Sequence, residues 1–205
     1  LFAKDPDLLP EQLFAYVMDR RSNKEPFDTT LPVAADNITL MANAIRAGSG
    51  FGGSVANADV TAMRTITREA LQIEIDTPRT YRESVDLFRI GRNEIDANPD
   101  GIDFGGPLFE TLGAFGMFSR DAALDRTSQT FRAGIDAVMA NVDTAMGYVW
   151  LTTATNTRAD QLAVGVDWLR VNLAATAIGL GFQPLSQGLQ EYAEMAVIHA
   201  RLHAQ

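Results

Sequence analysis

Arg20 and Arg21 place two guanidinium groups side by side, followed by a hydroxyl at Ser22 and an ammonium at Lys24. Such a set can converge on one phosphate dianion, since arginine supplies paired planar donors, serine a short O–H donor and lysine a point charge. The same spacing also describes a helix C-terminus decorated with cations, which the helix dipole favours without any ligand. His199 and His203 are the 2 histidines of the chain, and four positions apart on a helix their rings share one face, as metal-binding imidazole pairs do. The His-Glu-x-x-His pattern is absent, and the pair reads as a solvated helix face near the end of the sequence. With no other histidine and no cysteine, Ser–His–Asp and Cys–His catalysis are disfavoured. Gly48-x-Gly50-x-x-Gly53 has the glycine spacing of a dinucleotide-binding turn, but that mechanism needs a strand before the turn and a helix dipole after it. No strand is predicted before these glycines, so a mobile loop is expected. Arg68, Arg79, Arg82, Arg89 and Arg92 alternate with Glu69, Glu74, Asp76, Glu83, Asp86 and Glu94, the pattern of a solvated or salt-bridged helix surface.

The 205 residues include 17 Lys+Arg against 26 Asp+Glu, a formal net charge of −9. A strongly acidic chain repels nucleic-acid phosphate unless its arginines gather on one face, so no nucleic-acid partner is expected. The apolar share of 46% suits one globular domain whose core needs no disulfide or metal. Without cysteine there is no thiolate chemistry and no Cys-ligated metal. The best apolar run, Val171 to Phe182, is too short to span a bilayer, and no leader opens the sequence. The start at Leu1-Phe2-Ala3, without Met, suggests processing, trimming or a piece of a longer protein.

The elements that position these groups follow from periodicity and stop signals. A helix is predicted over Gln12 to Arg21, carrying Leu13, Phe14 and Val17 inward and broken by Ser22 to Pro26. A second, capped by Asp36 or Asn37, carries Ile38, Met41, Ala42 and Ile45. A third opens at Asn57 or Asp59 and runs through Ile75. Thr77-Pro78 restarts a helix reaching about Ile95, and Asn98-Pro99-Asp100-Gly101 is a turn. Phe104 to Phe118, rich in both glycine and phenylalanine, is a poor helix by propensity; within a lid or excursion over 98–127, it is expected to be a flexible, packed flap rather than a rigid core element. Ser119 and Ser128 cap further helices, the second reaching roughly Asp143. Met146 to Thr153 is the one convincing strand. Thr157 or Asn156 caps a long helix from Arg158 to Leu180, ended by Gly179, Gly181 and Pro184. Ser186 starts a last helix.

The segment Asp19 to Val33, with its Arg-Arg-Ser-x-Lys-x-x-Phe core and Leu31-Pro32-Val33, resembles the flavin-phosphate motif that opens the nitroreductase family. Gly165 to Gly181, ending Ala174-Ala175-Thr176-Ala177-Ile178-Gly179-Leu180-Gly181, is similar to that family's Gly-led helix. The tail Gln183-Pro184-Leu185-Ser186-Gln187 with Glu191 resembles the Acg-like branch, whose members often carry a twin-arginine leader. The resemblance implies an α+β fold, helix-rich with a small central sheet, and FMN bound at an interface between two such units. By position, it implies that Arg20, Arg21, Ser22 and Lys24 hold the FMN phosphate, that Gly165 lies where backbone approaches the flavin ring, and that Pro184, Leu185, Ser186 and Gln187 line the site. It implies an oxidoreductase passing hydride from NAD(P)H through FMN to a nitroaromatic, quinone or similar acceptor. The family's Pro-Ser-x-x-Asn-x-Gln-Pro-Trp ring-contact segment has no counterpart, and Lys24 stands where the family has Arg, losing bidentate reach. The chain therefore resembles the C-terminal half of the branch, and a non-catalytic flavin store or degenerate half-domain is the alternative. A homodimer, or pairing with a related N-terminal half, follows from the resemblance, with Ile135, Val138 and Val142 as one apolar face available for it. A lost twin-arginine leader would make the protein periplasmic or exported; otherwise it is cytoplasmic.

Overall fold

The computed structural model describes residues 11–204. After a 3-10 turn at Gln12–Tyr16 come α1 (Ala35–Ala42), β1 (Gly50–Ser54), α2 (Asn57–Asp76), α3 (Pro78–Asp86), β2 (Phe88–Ile90), α4 (Gly91–Ala97) and β3 (Ile102–Phe104). They are followed by α5 (Pro107–Ala114), α6 (Arg120–Leu124), α7 (Gln129–Asp143), β4 (Tyr148–Thr152), α8 (Arg158–Ala177) and α9 (Ala196–His203). The result is a helix-rich α+β protein whose described residues fall in two compact units, one formed by 11–63 with 145–184 and the other by 64–144 with 185–204. Among the described residues no helix is long and apolar enough to cross a membrane.

In the first unit, β1 pairs antiparallel with β4 in the register Phe51 opposite Leu151, Gly52 opposite Trp150 and Gly53 opposite Val149. Alternation along the strands sends Phe51, Val149 and Leu151 to a core built on Met41, Ala44, Val171, Ala174 and Ala175. The stretch expected as a mobile glycine loop is thus partly a strand. Its glycines answer to the partner across the ladder, because a Cβ on Gly52 would lie 2.3 Å from the Trp150 ring. Glycine has low strand propensity, and its partner lies about a hundred residues away, so periodicity alone misses it. The expected strand at 146–153 is present, and the long helix after it starts where predicted. Thr157 accepts the Asp160 N–H while the Asp160 carboxylate accepts the Thr157 N–H, a full capping box.

In the second unit, the later turns of α2 carry two apolar faces. Ile66, Ala70 and Ile73 pack with Met195, Ile198, Tyr192 and Leu202, and Leu71 and Ile75 pack with Met139, Val142, Phe131, Ile135 and Leu185. Val142 is 1% exposed, so the face expected to be free for a second copy is largely consumed by this core. Ser119 and Ser128 cap α6 and α7 as their types predict, accepting the N–H of Ala122 and of Phe131. The single helix expected after Thr77 is instead α3, a three-residue strand and α4, because β2 pairs in parallel with β3. The last helix likewise starts later than Ser186, after two short 3-10 turns. Phe104, Phe109 and Phe118 of the expected flap pack on one another and on Phe88, with ring centroids from 4.6 to 6.4 Å apart. The alternating charges pair as expected: Arg79 forks onto Glu194 at 2.6 and 2.7 Å, and that contact holds the Glu194 carboxyl at about 2.

Gly101, in the predicted turn, has φ +77°, and a Cβ there would lie 2.3 Å from the Leu87 carbonyl oxygen, which accepts the Ile102 N–H at 2.8 Å. Gly116, just past the end of α5, has φ +69° with nothing within 4 Å of a Cβ. Gly116→Ala should therefore lose only the left-handed backbone cost, about 1–2 kcal/mol. Gly101→Ala should lose more, at least about 2–3 kcal/mol, because it adds a backbone clash at the β2–β3 joint. Urea unfolding of the two variants measures the difference, and equal losses would contradict it.

Candidate functional site

The first unit carries the N-terminal cation cluster and Gly165. After the 3-10 turn the chain passes Arg20, Arg21, Ser22 and Lys24 without regular secondary structure. The Asn23 N–H donates to the Phe182 carbonyl at 2.8 Å. A Cβ on Gly181 would lie 3.2 Å from the Phe27 ring and 3.6 Å from the Asn23 side chain, so glycine lets this segment lie close. Two stretches far apart in sequence, the cation cluster and the Gly179-Leu180-Gly181 end of the long helix, are thereby neighbours. Arg20 is half-buried, while Arg21, Ser22 and Lys24 are exposed. Arg21 Nη1 donates to the carbonyls of Met18 and Arg20, both at 2.7 Å. That is the helix-end role which the cation spacing left open beside phosphate binding, and this arginine serves it within the chain.

Gly165 sits mid-way along α8, and an ideal Cβ there meets nothing within 4 Å. Glycine in a helix interior costs about 1 kcal/mol relative to alanine, and no neighbour in this unit requires it. Leu162, Val166 and Leu169 flank it on the same face, 60%, 52% and 48% exposed. The helix thus shows solvent an apolar strip with a notch in it. Pro184, exposed, ends the first unit. Leu185, Ser186 and Gln187 belong to the second unit. The Leu185 side chain packs on the α2–α7 core, Ser186 is exposed, and half-buried Gln187 opens a 3-10 turn.

Two features escape the sequence reading. Opposite the exposed strip of α8, Asp167 is completely buried. Its carboxylate accepts the backbone N–H groups of Arg46 at 2.8 Å, Ala47 at 2.9 Å and Ser49 at 3.0 Å. Burial pushes this carboxyl up, but the three amide donors outweigh it and hold it at about 2. One turn on, Arg170 Nε donates to the Ala44 carbonyl at 2.6 Å. An aspartate at an inward position of an otherwise apolar helix face is the sequence signal that could have disclosed the buried carboxylate. The second feature lies within the other unit, a cleft of about 450 Å³ lined by Ile90, Phe109 and Phe118 together with Glu94 and Arg120. Arg120 Nη2 reaches Glu94 and the Phe88 carbonyl, both at 2.5 Å, while the Ile90 N–H donates to Glu94 at 3.0 Å. The guanidinium of Arg120 holds the Glu94 carboxyl below the usual carboxylate range. The predicted turn and the Gly-Phe segment give no hint of this pair, which closes over 26 positions.

Compared with known protein families, curated proteins and solved structures, the chain has no match.

Because the Asp167 carboxyl titrates at about 2 in the fold, below its ordinary 3.8, its contribution is fully present above about pH 4–5. It is lost as pH falls through 2. Asp167→Asn should lower the unfolding free energy at pH 7 by on the order of 2 kcal/mol, since an amide cannot accept all three N–H groups and carries no charge. The variant's deficit should shrink between pH 4 and pH 2. Urea unfolding across that range checks both, and wild-type stability for the variant at pH 7 would remove the clamp from the account.

Proposed function

We propose that the chain is an FMN-binding, nitroreductase-like oxidoreductase, with Arg20, Arg21, Ser22 and Lys24 on the flavin phosphate and Gly165 beside the ring. The observation that carries the reading is Gly165: an exposed glycine in the interior of a helix, unexplained by any neighbour in its unit and set in an apolar strip. A surface kept clear at a cost in helix stability suits the close approach of a flat ligand. The hydrogen bond from Asn23 to Phe182 adds support, since it joins the two motifs whose combination resembles the family. The cation set would neutralise the phosphate dianion, with the Ser22 hydroxyl donating to one of its oxygens. Leu162, Val166 and Leu169 would exclude water from the ring face, which strengthens every polar contact beneath it. Bound FMN would supply hydride acceptance from NAD(P)H and onward electron delivery to a nitroaromatic, quinone or similar acceptor. A second copy of the chain, or a related N-terminal half, would complete the pairing implied by the resemblance.

The first test is a visible spectrum of the purified chain after incubation with FMN and desalting. A retained flavin band is expected, bleached by NAD(P)H under anaerobic conditions. A band that NAD(P)H leaves unbleached would favour the flavin store, the reading motivated by the missing ring-contact segment. No band would overturn flavin binding by this chain. In a binding titration, Arg20→Ala/Arg21→Ala should weaken FMN more than tenfold, since a charge-assisted hydrogen bond contributes about 1.5–3 kcal/mol. Gly165→Leu should weaken FMN without lowering the thermal midpoint, because a Cβ there meets nothing within 4 Å and leucine is the better helix former.

A further inference from the structure

We propose that His199 and His203, on the last two turns of α9, form a two-point chelate for a divalent transition-metal ion. Their Nε2 atoms lie 3.2 Å apart, whereas the ring centroids are 4.3 Å apart. The nitrogen-bearing edges therefore lean toward each other across one helical turn. At a metal–nitrogen distance of about 2.0–2.1 Å, a 3.2 Å separation subtends an angle of about 100° at the metal. That angle falls between the right angle of a square-planar ion and the tetrahedral angle. The i, i+4 spacing thus leaves the two donors at chelating distance.

The surroundings suit a cation. The pair occupies the C-terminal end of α9, where the partial negative charge of the helix dipole collects. Arg201, between the two histidines in sequence, is turned away and paired with Glu69, so its charge is spent elsewhere. His199 is half-buried and His203 exposed, which anchors one donor and leaves the other reachable from solvent. Among the described residues no group of three or more His, Asp or Glu could hold a metal. The site therefore supplies two nitrogens and leaves the remaining positions to water or to a ligand brought by the metal. Imidazole donors select copper, nickel and zinc over magnesium and calcium, with Cu²⁺ the tightest of these. The pair shares no residue with the proposed flavin site, and its test does not depend on that reading.

The test uses the full chain without a histidine tag, titrated calorimetrically with Zn²⁺ and with Cu²⁺, and with Mg²⁺ as the control. With 2 histidines and no cysteine in the whole sequence, an imidazole signal has a single origin. One equivalent of Cu²⁺ or Zn²⁺ is expected to bind, Cu²⁺ more tightly, and Mg²⁺ not at all. His199→Ala and His203→Ala should each weaken Zn²⁺ by at least about tenfold, since the second donor binds at high effective concentration once the first is engaged. Zn²⁺ should also raise the thermal midpoint of the wild type and of neither variant. The proposal is overturned if either single variant binds Zn²⁺ as tightly as the wild type. It is equally overturned if the wild type binds no Zn²⁺, in which case the close nitrogens are only an N–H···N hydrogen bond.

Discussion

A carboxylate without solvent contact governs the first unit: Asp167 accepts three backbone N–H groups from the connection between α1 and β1. Amides in a connection have no ladder or helix partner, and leaving them buried without one costs as much as a lost hydrogen bond. A carboxylate in the middle of α8 supplies all three acceptors at once. Arg170, on the next turn, takes the Ala44 carbonyl from the same connection. The helix thus grips both polarities of the chain just before β1. With the end of α1 and the start of β1 both tied to α8, the register of Gly52 against Trp150 is set, since a one-residue slip would turn Phe51 out of the core.

The same helix carries a buried face and, opposite it, an exposed apolar one. Val171, Leu173, Ala174 and Ala175 are buried with Asp167, and small residues among them let the sheet approach closely. The opposite face keeps Leu162, Val166 and Leu169 in solvent around Gly165. Apolar side chains scattered singly on a surface need no explanation, but three neighbours at helical spacing form a patch. That patch costs the free chain stability through exposed apolar area and a helix-interior glycine. It is therefore a place where a bound group would return more than it displaces.

The second unit is organised differently. The later turns of α2 divide their apolar side chains between a core with α7 and a core with α9, so one helix is the spine of two clusters. Its charged positions pair outward, Arg68 with Asp143 and Asp76 with Arg126. These pairs are half-exposed and individually weak. They orient surfaces already held by apolar contact, whereas Glu94 and Arg120 also satisfy backbone groups and so fix the wall of a cleft.

Local chemistry was legible in the sequence wherever the cause lay within a few residues. Ser119, Ser128 and Thr157 cap the helices their types announce, Pro78 opens α3, and the β-branched, aromatic run at 148–152 is a strand. The cation cluster stood out by residue type, and Gly165 only through the family resemblance. What the sequence could not state were the pairings across long separations: glycines 50–53 as a strand under Trp150, β2 taken out of a helix by β3, Asp167 as an anchor, and Arg120 reaching Glu94. Each of these is decided by a partner on another element. A weak local preference gives way when a distant hydrogen bond or a packed ring is gained, and that gain exists only once the chain has folded.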